Sequence, residues 1–152
     1  MSEKELPESM LEMMEYTEEE IKGLTKKQRD ILCAGEDLYG YKMVAEVVKA
    51  SHCGYQPKVG DRYVFAPGGT VIPEECTWPI CVYALAPMLP FFYMYYDRIR
   101  AGQDPNDMWM ENIKCADIGT DCGGFGEVLF KITFEKNTEE EKMAILESLM
   151  PK

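Results

Sequence analysis

Histidine is almost missing from this chain: His52 is the only one in 152 residues. That leaves one imidazole to serve as base or metal ligand. Positive charge is also scarce, with 16 Lys and Arg against 27 Asp and Glu and a net charge of −11. This balance speaks against nucleic acid, whose protein partners gain affinity by neutralising phosphates, and equally against an anionic membrane surface. The N-terminus is acidic, without the basic and apolar regions of a secretory signal. No Cys-x-x-Cys pair occurs either. Six cysteines without an export signal are expected as reduced thiols of a cytosolic protein rather than as a disulfide framework. The glycine-rich loop at 118–127 (IGTDCGGFGE) has no following lysine, so it fits no phosphate-binding pattern and reads as a hairpin connection.

What is present is one long uncharged run, 21 residues from Cys76 to Tyr96, in a chain that is 28% charged. Its length would span a bilayer, but Pro79, Pro87 and Pro90 each remove a helix hydrogen bond. Tyr83, Tyr93, Tyr95 and Tyr96 would also put hydroxyls at several depths in lipid. The run is instead expected to be the buried central helix of a small domain, residues 79–101. Thr77 or Trp78 would cap it, Pro79 would sit in its first turn, Pro90 would kink it and Gly102 would end it.

The rest arranges itself around that helix. Residues 1–40 are expected as an acidic helical extension, with capping boxes at Thr17/Glu20 and Thr25/Gln28. Residues 41–152 are expected as the core domain. Alternation places strands in 41–53, 62–66, 108–118 and 126–136, and Thr138 opens a C-terminal helix bearing Met143, Ile145, Leu146 and Leu149. The expected class is α+β: a small antiparallel sheet in ββαββ order, packed on one kinked apolar helix, with helical extensions at both ends. The apolar residues among the N-terminal acids suit a partner enzyme or a second copy of the chain.

Four short motifs carry a resemblance. They are Cys53-Gly54-Tyr55-Gln56-Pro57-Lys58-Val59-Gly60-Asp61, the run Cys81 to Pro90, Asp104-Pro105-Asn106, and Lys114-Cys115-Ala116-Asp117. In order and spacing they resemble a family of short proteins of anaerobic bacteria and archaea. Its pattern is C-P-x-G-H-K-V-G-D, C-x-W-A-L-H-A-L-L-P, D-P-D and A-C-P-D-P. Pro57 and Ala86 stand where that family has histidines, and Gly54 and Ala116 where it has prolines, so any chemistry of those histidines is lost here. The resemblance covers the core from about Tyr41 to Glu135. It implies a fold frame and three marked cysteines rather than an activity.

Two constellations could carry chemistry. Cys53, Cys81 and Cys115 fall at element ends that can converge at one pole of a sheet, and with His52 they would make a ligand set for zinc or an iron–sulfur cluster. On a continuous strand His52 and Cys53 would point to opposite faces. Separately, Trp78, Tyr83, Tyr93 and Trp109 could line a pocket for a flat apolar ligand. The expectation is a small binding or accessory protein, taking a metal, a small apolar ligand or a partner enzyme in anaerobic metabolism. The alternative is a small enzyme that uses Cys81 or Asp61 in an aromatic-lined pocket.

Overall fold

A computed structural model describes residues 5–149. Four strands, β1 (Tyr41–Ser51), β2 (Arg62–Phe65), β3 (Asn112–Lys114) and β4 (Glu127–Lys136), form one antiparallel sheet in the order β2-β1-β4-β3. Helices α1 (Glu8–Met14), α2 (Glu18–Gly23) and α3 (Lys26–Leu32) precede it. Helices α4 (Val82–Leu85) and α5 (Leu89–Arg100) lie between β2 and β3, and α6 (Glu139–Leu149) follows β4. The class is α+β with the expected ββαββ order. Among the described residues no helix is long and apolar enough to cross a membrane.

Period-two patterning builds the two long strands. Val128, Phe130, Ile132 and Phe134 are buried along β4, with half-buried residues between them. On β1 the core residues are Met43, Ala45 and Val47, after which a bulge at Val48 shifts the register, so that Lys49 pairs with Leu129. Aromatic rings fill the space between sheet and helix. Tyr63 stacks on Phe130 at 5.9 Å and Tyr95 on Phe134 at 5.0 Å, while Phe92 meets Phe65 edge-on at 5.6 Å. The chain before the sheet joins this core through Leu38 and Tyr39, and the Tyr95 hydroxyl donates to the Leu38 carbonyl at 2.5 Å. Both N-terminal capping boxes form as the sequence expects.

The central helix differs from its expected form. It begins at Val82, not Pro79, because the preceding segment is held in extended form from outside. The Pro79 carbonyl accepts the Tyr63 hydroxyl at 2.7 Å, and Thr77 Oγ1 accepts the Arg62 amide at 2.9 Å instead of capping a helix. The break falls at a 3-10 turn, Ala86–Met88, around Pro87; Pro90 sits harmlessly in the first turn of α5. Gly102, at φ +66°, ends α5 as expected. Its amide donates to Ile99 and that of Gln103 to Arg98, both at 2.9 Å, closing a Schellman motif.

The third strand is also shorter than expected. The Asn106 side chain accepts the Phe134 amide at 2.7 Å and donates to its carbonyl at 2.9 Å, occupying the β4 edge where 108–110 would have paired. Residues 108–110 therefore leave the sheet, and Trp109 is 90% exposed. At the C-terminus Ile145 and Leu146 pack on the core while Met143 is exposed; the Leu149 side chain lies outside the described residues.

Candidate functional site: an aromatic cleft with three thiols

Because β1 and β3 both run antiparallel to β4, their C-terminal ends meet at the start of β4. Three segments leave that pole together: 52–55 after β1, 115–118 after β3, and 123–127 leading into β4. The extended segment before α4 reaches the same pole together with α4, whose Tyr83 carbonyl accepts the Ala116 amide at 2.7 Å. Between them is a cleft of about 750 Å³, a size ordinary for a small-molecule site.

Trp78, Ala84 and Val128, all buried, form its floor. Tyr55, Tyr83, Ile118 and Phe125, all exposed, stand around its mouth, Phe125 at 81%. Cys53, Cys81 and Cys115 line its wall, each half-buried. The Trp78 ring N–H donates to the Tyr55 carbonyl at 3.3 Å, and the Cys115 sulfur accepts the Val128 amide at 3.3 Å.

Two hydrogen-bonded devices hold the walls. The Tyr63 hydroxyl bridges the cleft segment to β2, donating to the Pro79 carbonyl and accepting the Cys81 amide at 3.2 Å. Burial pushes its phenol well above the ordinary range; the Cys81 amide pulls it back, while the nearby Cys81, Cys76 and Cys53 add to the rise. Opposite, the Asp117 carboxylate collects the amides of Gly119 and Phe125 at 3.0 Å each and of Gly126 at 3.2 Å. The Gly119 and Phe125 amides do most to hold its pKa below the usual carboxylate range; partial burial opposes them, and Gly126 and Lys114 contribute further. One side chain thus closes the loop that carries Phe125.

The sequence-derived candidates separate. Cys53, Cys81, Cys115, His52, Trp78 and Tyr83 share the cleft. His52 and Cys53 do not point apart as strand neighbours: β1 ends at Ser51, and His52 adopts φ +54°, which turns both residues to the cleft. Tyr93 and Trp109 are elsewhere. Tyr93 is on the exposed side of α5, opposite Phe91, Phe92 and Tyr95, and Trp109 borders a shallow groove with Met94 and Arg98. Asp61 is a turn residue whose carboxylate accepts the Lys58 amide at 2.7 Å and the Thr77 hydroxyl at 3.0 Å; it does not line the cleft. Among the described residues no three His, Cys, Asp or Glu side chains are grouped to hold a metal ion. The thiols therefore share a cleft without supplying the ligand set that zinc or an iron–sulfur cluster requires.

Asp117 and Phe125 are not among the sequence-derived site candidates. An aromatic residue set between Gly124 and Gly126 was the available signal, since its glycine neighbours bring no side chains to cover it. The chain matches no protein-family model, no curated protein and no solved structure.

Proposed function

We propose that this protein binds a planar, largely apolar small molecule in the cleft at the β1, β3 and β4 pole. The observation that carries the reading is the set of exposed apolar side chains, Tyr55, Tyr83, Ile118 and Phe125, around a concave surface floored by Trp78. Exposed rings cost solvation unless something covers them, and rings around a cavity suit a flat occupant. The resemblance to the family of anaerobes accords with this, since Cys53, Cys81 and Cys115, which its motifs mark, line the same cleft. A reducing cytosol suits the three thiols, and the acidic N-terminal helices are the natural contact for a partner enzyme or second copy.

Trp78 supplies the test. Replacing Trp109, which is remote from the cleft, by phenylalanine leaves Trp78 as the single indole. Titration of that variant with the planar probe 1,4-dimethoxynaphthalene is expected to change Trp78 fluorescence saturably at one site, and Phe125→Ser to weaken the binding severalfold. A linear, unsaturable response, or one indifferent to Phe125→Ser, would remove the proposal.

A further inference from the structure

The polar groups along the cleft are unequally committed. Asp117 is taken by three backbone amides. Glu127 pairs with Lys49 at 3.1 Å and Lys114 at 3.5 Å, and the Cys115 sulfur holds the Val128 amide. Cys53 and Cys81 differ: neither thiol has a hydrogen-bond partner among the described residues, and both are half-buried on the wall. Among the described residues that line the cleft, no carboxylate or ammonium is left over to fix a charged group. The cleft thus offers a ligand aromatic surfaces, the His52 imidazole and two unengaged sulfur nucleophiles.

Thiols are soft nucleophiles and the most reactive of the uncharged side chains. The ligand that uses both properties is a flat, neutral, electron-poor ring, which stacks on aromatic faces and accepts sulfur at carbon. Resting on the binding reading above, we propose that the cleft captures a planar quinone or comparable conjugated enone through Cys53 or Cys81. In this step a sulfur–carbon bond forms at the ring carbon β to a carbonyl. The carbon–carbon π pair moves toward that carbonyl, whose oxygen takes a proton in place of the one lost from the thiol. With a quinone, tautomerisation of the remaining ring hydrogen gives the hydroquinone thioether. The quinone is reduced by the addition itself, so no further reductant or oxidant enters.

The intact chain is treated with one equivalent of 1,4-naphthoquinone without oxygen, and the adduct is mapped by peptide mass spectrometry. The expected product carries one whole quinone on Cys53 or Cys81. Because the cleft orients the reactants, that thiol should react about tenfold faster than the exposed Cys122 of the same chain. In urea the advantage should vanish. First modification at Cys122, Cys33, Cys76 or Cys115, or a preference that survives urea, would overturn the capture. If 1,4-dimethoxynaphthalene binds saturably while the quinone leaves Cys53 and Cys81 unmodified, capture fails and reversible binding stands. If neither compound binds at the cleft, both readings fail.

Discussion

The Lys42 ammonium, on a residue only 9% exposed, lies 3.0 Å from the Glu141 carboxylate and 2.7 Å from that of Glu75. The first contact ties β1 to α6, and the second ties β1 to the 3-10 turn Pro73–Glu75. Burial opposes the charge on Lys42, but the hydrogen bonds to Glu75 and Glu141 outweigh it and hold its pKa above the ordinary value. Lys42→Met is expected to cost about 1.5–3 kcal/mol, the range for hydrogen bonds to charged groups. Urea unfolding with unchanged slope would measure it.

The same link sets an acid limit. The Glu141 carboxyl is held below the usual range, first by the Thr138 amide and then by Lys42. A carboxyl depressed in the folded state contributes stability above its unfolded pKa and loses it as pH falls through the lower, folded value. Protection of α6 amides against hydrogen exchange should therefore decline in acid, below about pH 4. Glu141→Gln should flatten that dependence; an identical decline in the variant would show that Glu141 is not responsible.

Tyr63 tests whether the cleft wall depends on one hydroxyl. In Tyr63→Phe the ring remains between Trp78 and Phe130, but the Pro79 carbonyl and the Cys81 amide lose their shared partner. A loss of about 1–2 kcal/mol is expected, together with weaker probe binding at Trp78. Stability lost with affinity intact would mean that the 79–81 segment is held by packing alone.

Much of this arrangement was legible because it is local or topological. Alternation in GEVLFKITFEK marks β4, the Thr17/Glu20 and Thr25/Gln28 pairs mark two helix starts, and Gly102 marks a helix end. The convergence of Cys53, Cys81 and Cys115 follows from strand direction, since each lies at an element end on the same side of the sheet. What was not legible depends on distant partners. The Tyr63 hydroxyl, far along the chain, keeps Pro79 out of a helix, and Asn106 delays the start of β3 by seizing Phe134. Nor does composition say which side of α5 an aromatic residue takes, so Tyr93 reads from sequence as a pocket residue although it faces solvent.

Asp117 is expected to govern the cleft more than the fold. Asp117→Asn places an amide N–H₂ where either two backbone amides or one now donate to a carboxylate oxygen. The loop at 119–126 should loosen and probe affinity should fall, with little change in melting temperature because the sheet is untouched. Since the folded carboxyl titrates below its free value, the wild-type cleft should keep its affinity at neutral pH and lose it as pH falls through that lowered value. The asparagine variant should show no such acid limb.

Gly126 gives the strictest prediction, because its neighbours cannot move aside. A Cβ there would lie 2.6 Å from the carbonyl oxygens of both Ser51 and His52. These are backbone atoms at the end of β1, where Ser51 pairs with Glu127, so relief requires β1 and β4 to separate at the pole that builds the cleft. Overpacking of this kind costs about 1–3 kcal/mol. Gly126→Ala should therefore lower the melting temperature and abolish saturable binding at Trp78 together. Gly68→Ala is the control: a Cβ there meets nothing within 4 Å and the backbone is not left-handed, so its effect should stay within about 0.5 kcal/mol. If Gly126→Ala behaves like Gly68→Ala in both measurements, the close approach of β4 to His52 is not what shapes the cleft.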